Sequence, residues 1–410
     1  MNNPKKYQLV RKISPFVKKI LPKSLFEKLK KRFKKGVSYQ AKKRIPYQKG
    51  YYENGINYFG HLKANIGLGQ GSRLYGLSLS KSDIPTCFID VPLPNSIKQT
   101  DNFYGLKLNK EPKYSINLFH INPENFFTLE MLFEQDILDY RYNIGTFLWE
   151  LDHIPQSWIP YLDLFDEFWV PSKFIKDCLR KVTNKPIYVI PYGMERIDVR
   201  TLPRAFDFRD KFTFLTMFDS KSNIERKNPM MVIDAFKKAF EHYPFVRLVI
   251  KANNLSKNDK NLLENNIKGF KNIEILDQNL SRNELYSLIK TSSCLVSLHR
   301  AEGFGLPLAE AMMLNVPLIA TDYSSTKDFV NETSAYVVSY SLIKSNVIYQ
   351  NEKDFYWANP DVDDASKQML NAFNGYKKEE KLYNARKIIK TYLSIKNSSS
   401  LMENRYKEII

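Results

Sequence analysis

The chain has 410 residues, 62 Lys plus Arg against 44 Asp plus Glu, a formal net charge of +18 and 43% hydrophobic residues. At roughly 100 to 200 residues per domain this is two or three domains with ample chain for a packed core, which excludes a disordered chain and a small stapled one. Cys87, Cys178 and Cys294 are far apart without metal-ligand spacing, no apolar run approaches the roughly 18 residues of a bilayer span, and charges interrupt the first 35 residues too often for a signal peptide, so a cytoplasmic protein is expected.

In chain order, the first 50 residues come apart from the rest. They hold 17 Lys plus Arg and one acid, Glu27, a net +16, whereas the other 360 residues are nearly neutral at +2. Charge therefore gives no ground for a nucleic-acid binder, and none is expected as a partner. Val10, Ile13, Phe16, Val17, Ile20 and Leu21 recur at helical spacing between the cations. Ser24 and Glu27 form a capping-box pattern, and Leu25, Phe26, Leu29 and Phe33 then share one side. Such an arm is compatible with an amphipathic segment on an anionic membrane surface, and equally with a solvated basic tail.

From residue 55 strands and helices alternate. Strands are expected at residues 56–59, 114–119 (ending at His120), 144–149, 167–170 and 187–190, with a Gly-rich turn and a helix at 72–79, and a second helix opened by Pro171 and Ser172. Residues 195–211 are polar and irregular and read as a linker. A second series follows, with strands at 212–217, 246–250, 273–276, 294–298 and 317–320, and a helix at 229–240. Two such series imply two doubly wound parallel sheets facing across a cleft. The boundaries drawn are an arm at 1–50, an N-terminal domain at 51–194, the linker, a C-terminal domain at 212–388, and a last helix at 389–410 crossing back.

Three motifs could carry chemistry. Gly67-Leu68-Gly69-Gln70-Gly71 follows the first strand, where glycines let a backbone approach a phosphate. Its spacing is not the dinucleotide G-x-G-x-x-G, although Asp90 lies near the distance expected of a ribose-binding acid, so a nicotinamide reading stays open, as does a tight turn with no ligand. Glu225-Arg226-Lys227-Asn228-Pro229 places two cations after a strand's carboxyl end, where a diphosphate could be neutralised. Finally, residues 297–312, SLHRAEGFGLPLAEAM, run from a strand end through a Gly loop into a helix opened by Pro307. Glu302 and Glu310 flank that loop as groups able to accept hydrogen bonds from sugar hydroxyls. Asp361-Val362-Asp363 follows Pro360 and reads as a helix cap, not a metal site.

Glu302 and Glu310 match the E-x7-E signature, and the chain over roughly residues 55–405 resembles the retaining glycosyltransferases of the GT-B fold, family GT4, of the bacterial surface-polysaccharide type. NIGTFLWELDHIP (143–155), FDEFWVPSKF (165–174), VIPYGM (189–194) and ERKNP (225–229) agree with it. The resemblance implies that Glu310 binds the nucleotide ribose, and that Glu302 with the backbone of Phe304, Gly305 and Leu306 holds the donor sugar. It further implies that Arg226 and Lys227 take the diphosphate, and that Gly69 sits opposite against the phosphates. His120 is expected near the acceptor and the leaving phosphate. His153 and His299 are weaker candidates, and His61 and His242 read as structural or exposed. The family's G-R-x-x-x-x-K is replaced by Asp219-Ser220-Lys221 before the phosphate lysine, which leaves open which cation meets which phosphate. The function implied is transfer of a hexose or deoxyhexose from a nucleoside diphosphate sugar to a lipid-linked glycan acceptor, without cofactor or metal, at the inner face of the cell membrane. A nucleotide-sugar epimerase or hydrolase and a non-catalytic binding protein on the same scaffold are the alternatives.

Overall fold

A computed structural model describes residues 44–93, 99–100, 104–126, 137–195, 197–208, 210–375 and 379–410. The two helical segments expected in the basic arm, at 10–21 and 24–35, lie outside the described residues. Residues 44–50, counted with the arm, pack on the N-terminal domain. Arg44 pairs with Asp166 at 2.5 Å, and the Tyr47 ring meets Tyr142 edge-on.

The N-terminal sheet contains β1 (Glu53–Gly60), β2 (Thr86–Asp90), β3 (Leu108–Asn109), β4 (Tyr114–His120), β5 (Tyr142–Thr146), β6 (Glu167–Val170) and β7 (Ile187–Val189) in the order β3-β2-β1-β4-β5-β6-β7, all parallel. Ile56, Tyr58, Ile116, Leu118 and Ile144 are fully buried, as a sheet covered on both faces requires. Helix α1 (Gly67–Ser80) follows β1. The G-x-G-x-G stretch, read as a turn, is instead the first turns of this helix. A single turn, α2 (Ile159–Leu162), precedes β6, and α3 (Lys173–Arg180) follows it, capped by Ser172, whose hydroxyl accepts the Ile175 N–H. β5 stops three residues short of the expected end, because Phe147 to Trp149 turn into the aromatic packing described below.

The C-terminal sheet contains β8 (Phe212–Asp219), β9 (Val246–Asn253), β10 (Ile273–Asp277), β11 (Cys294–Ser297), β12 (Leu318–Thr321) and β13 (Tyr336–Val338) in the order β10-β9-β8-β11-β12-β13, again all parallel. Its helices are α4 (Ile224–Lys227), α5 (Pro229–Phe240), α6 (Lys257–Ile267), α7 (Arg282–Thr291), α8 (Leu306–Met313), α9 (Val362–Asn374) and α10 (Glu379–Lys390). Asp361 caps α9, its carboxylate accepting the N–H groups of Asp363 and Asp364 at 2.8 and 2.9 Å. The last helix, α11 (Ile395–Ile409), lies on the N-terminal domain. There Ser399 donates to the Ser78 carbonyl and Ser398 to the Pro191 carbonyl, each at 2.7 Å.

β2, β3, β13 and one hairpin have no counterpart in the sequence reading. The antiparallel hairpin β14 (Tyr340–Lys344) and β15 (Tyr356–Pro360) reaches from the C-terminal to the N-terminal domain. Trp158 Nε1 donates to the Tyr349 hydroxyl at 3.0 Å, Phe355 stacks on His153, and the Tyr349 and Phe355 rings pack edge-on against Trp149. None of the helices among the described residues is long and apolar enough to cross a membrane.

Candidate active site

In each sheet the strand order reverses between two neighbours, β1 and β4 in one and β8 and β11 in the other. Chains leaving such a pair diverge to opposite faces and open a crevice at the carboxyl ends. Gly69 follows β1, His120 ends β4, Arg226 and Lys227 follow β8, and Glu302 to Glu310 follow β11. The topology therefore brings these chain positions to the carboxyl ends of the two reversing pairs. The domains close on each other there: Phe304 packs edge-on against Tyr192, with ring centroids 4.7 Å apart.

The centre of the C-terminal crevice is ionic. Lys227 Nζ donates to Glu302 Oε1 at 2.5 Å, and Arg226 Nη1 lies 3.6 Å from Glu302 Oε2. Burial alone would raise the Glu302 carboxyl, but Lys227 and Arg226 hold it down at about 2, so it is ionised at any physiological pH. Burial pushes the Lys227 ammonium down, and Glu302 opposes that shift. Arg226 differs from the free phosphate fork that was expected. Nη1 donates to the Ala301 carbonyl at 2.8 Å and Nη2 to the Ser222 carbonyl at 3.1 Å, which braces the loop after β8 against the loop after β11. Its Nε faces the opposite domain, 3.5 Å from Glu150 Oε1.

Glu310, one turn into α8, is 1% exposed and paired with Arg282 at the start of α7. Arg282 Nε also donates to the Tyr286 hydroxyl at 2.9 Å. Burial works against the Arg282 charge, but Glu310 outweighs it and keeps the guanidinium protonated. Arg282 and Glu150 are the site residues that the sequence reading missed. A cation at the first position of a helix opposes the helix dipole, so Arg282 directly after its capping serine was the available signal. Glu150 had only its place in a loop after a strand.

Between the two glutamates, the N–H groups of Phe304, Gly305 and Leu306 donate to no other backbone group among the described residues and gather at the start of α8, a favourable place for an anion. Gly305 caps this helix with φ +93°, and a Cβ there would stand 2.6 Å from Thr326 Cγ2, so only glycine fits. Gly69 has a different reason for being glycine. It is buried, and a Cβ would lie 2.1 Å from the Ala64 carbonyl oxygen, so the demand comes from the chain's own loop.

His120 does not open into the cleft as expected. It is fully buried, Nδ1 bonds Ser72 Oγ at 2.9 Å and Nε2 bonds the Tyr192 hydroxyl at 2.7 Å. Burial lowers its pKa to about 3, so the ring is neutral. Through Tyr192 it supports the surface on which Phe304 rests. His299 is similarly enclosed, bonded to Ser297, Tyr323 and Thr326, and kept neutral by burial. His153 lies beside Asp152, with Nδ1 3.2 Å from its carboxylate.

Residues 215–387 match the family model described as glycosyl transferases group 1. An uncharacterized glycosyltransferase of Methanocaldococcus jannaschii is 28% identical over 153 residues, covering 37% of this chain and 33% of that protein, so this chain spans about a third of its relative's length. Among solved structures, a glycosyltransferase from Rickettsia africae superimposes with a TM-score of 0.63 at 14% identity, covering 88% of this chain and 99% of that one. The Anabaena protein HepE, solved with UDP and glucose, gives 0.63 at 10% identity, covering 87% and 100%. TarM of S. aureus, solved with UDP, gives 0.53 at 14% identity over 71% of this chain and 55% of that one. The fold is GT-B.

Proposed function

We propose that the protein is a retaining glycosyltransferase of family GT4, moving a sugar from a nucleoside diphosphate sugar to a glycan acceptor, lipid-linked, in the synthesis of cell-surface polysaccharide. One observation carries the reading: two buried glutamates, each paired with a cation, flank the unpartnered N–H groups that start α8, at the point where the strand order reverses. Glu310 with Arg282 is suited to ribose hydroxyls, and Glu302 to the donor sugar. The N–H groups and Lys227 are suited to the diphosphate, whose charge grows as the glycosidic bond breaks. Solved GT-B neighbours that carry UDP support the donor class.

No side chain is set as a nucleophile in this reading. The acceptor hydroxyl attacks from the face the diphosphate leaves, its proton passes to a departing phosphate oxygen, and the protein's part is orientation and charge. No metal ion takes part, since Lys227, Arg226 and the helix start supply the positive charge. The wild-type rate is then unchanged by chelator.

Thermal unfolding with UDP, GDP, dTDP and ADP tests the donor site. The matching nucleotide at 100 times its dissociation constant is expected to add about 2.7 kcal/mol of stability. Glu310→Ala is expected to lose roughly 1.5 to 3 kcal/mol of that nucleotide's binding free energy by calorimetry. No response to any nucleotide would count against the whole reading. Sugar released at full rate into water would favour a hydrolase.

The basic arm fits a protein whose acceptor is confined to a bilayer, held at the inner face of the membrane by reversible, salt-sensitive binding. Because Arg44 is tied to Asp166, the deletion that tests this ends at residue 43. The shortened chain is expected to keep nucleotide binding and to lose co-sedimentation with vesicles of 30% phosphatidylglycerol at low salt. Equal sedimentation of both chains would leave the arm as a solvated tail.

A further inference from the structure

The charged groups at the cleft floor come from both domains. Glu150 of the N-terminal domain faces Arg226 at 3.5 Å, Arg226 faces Glu302 at 3.6 Å, and Lys227 bonds Glu302 at 2.5 Å. Two carboxylates and two cations cancel. A diphosphate thus arrives at cations that are already neutralised, and one carboxylate has to give way.

Glu302 is the poorer candidate to move. Its side chain is 10% exposed, the short bond to Lys227 holds one oxygen, and its own N–H is fixed by Ser324 Oγ at 2.8 Å. Glu150 differs in exposure and in the length of its contact. Its side chain is 35% exposed, and its contact with Arg226 exceeds the 2.7 to 2.9 Å of a charged hydrogen bond. Its backbone is nevertheless held in place. Asn122 takes the Leu148 N–H and donates to the Leu148 carbonyl, both at 2.9 Å, and a Cβ on Gly303 would touch the Trp149 carbonyl oxygen at 3.4 Å. The segment 148–150 therefore lies directly over the loop that starts α8, with a movable carboxylate at its end.

We propose that Glu150 is a positioning residue that competes with the donor diphosphate: it neutralises Arg226 across the empty cleft and yields it when the diphosphate binds. The proposal rests on the glycosyl-transfer reading. It makes donor binding the event that breaks an ionic contact between the domains and frees a carboxylate at the mouth of the cleft, so the acceptor-side surface is completed only after the donor is in place.

Replacing the charge tests this. Calorimetry is run on the whole chain with whichever of UDP, GDP, dTDP and ADP binds the wild type most tightly. Glu150→Gln leaves the cleft floor with a net +1 and is expected to bind that nucleotide about five- to tenfold tighter at 20 mM salt, the gain shrinking toward none at 500 mM. Glu150→Asp keeps the charge and is expected to stay within about twofold of wild type. A residue that merely pins the domains together would behave differently, with the Gln variant melting earlier and binding the nucleotide equally or more weakly. Either of those affinities in a folded variant overturns the proposal. If wild type binds none of the four nucleotides, the glycosyl-transfer reading falls and this role falls with it; if wild type binds and the Gln variant binds no tighter, only the role of Glu150 is lost.

Discussion

Lys227→Met is expected to destabilise the protein by about 3 to 5 kcal/mol and to lower turnover by roughly 100- to 1000-fold, and the two effects should separate. The destabilisation arises because Glu302 would be left ionised in a site where it is only 10% exposed, with Arg226 at 3.6 Å as its remaining counter-ion. The loss of turnover arises because Lys227 is a largely enclosed cation on Glu302, at the loop that leads into α8, where leaving-group charge is expected to grow. Adding Glu302→Gln removes the orphaned charge. The double variant is therefore expected to recover most of the urea midpoint while its turnover stays low. Recovery of both would mean that Lys227 serves only to balance Glu302.

Arg405→Leu is the second large effect, expected at about 3 to 5 kcal/mol. Glu167 in β6 is fully buried, and Arg405 of α11 reaches it with Nη2 2.6 Å from Oε2 and Nε 2.9 Å from the same oxygen. Trp169 Nε1 and the Tyr142 hydroxyl donate to the same carboxylate at 2.7 and 2.9 Å, so the charge keeps some support when the arginine is lost. What is lost is the ionic tie between the last helix and the N-terminal domain, with the Ser398 and Ser399 hydrogen bonds remaining. Denaturant unfolding should show the drop in midpoint, and Glu167→Gln in the Arg405→Leu background should restore part of it. A change below about 1 kcal/mol would place the pair with ordinary surface ion pairs.

Much of the fold was readable because its signals are short-range. Alternating apolar runs and polar turns marked most strands of both sheets, though not β2, β3 or β13, to within a few residues; Ser172 and Asp361 announced helix starts by their chemistry, and Pro229 sits at the first position of α5. β2 escaped, being five residues with only Cys87, Phe88 and Ile89 buried. β14 escaped because its side chains are largely exposed and its order comes from β15 and from Trp149 and Trp158 of the other domain. Gly69 and His120 show the limit from the other side. Their residue types suggested contact with a ligand, whereas burial against Ala64 and between Ser72 and Tyr192 accounts for both.

By itself the sequence determined that two doubly wound domains exist, that a glycine loop opens a helix between Glu302 and Glu310, and that Arg226 and Lys227 follow a strand. Periodicity, caps and turn residues act over a few positions, and a single chain displays them directly. Only the tertiary structure decided which charges meet. Arg282 and Glu310 are 28 positions apart, Arg226 and the Ala301 carbonyl 75, and Arg405 and Glu167 238. Those partners are set by the strand order of the C-terminal sheet for the first two and by the return of α11 to the N-terminal domain for the third, which no local pattern encodes. The packing of the two domains places Glu150, which follows β5, opposite Arg226, so the cations that looked free along the chain are already paired in space.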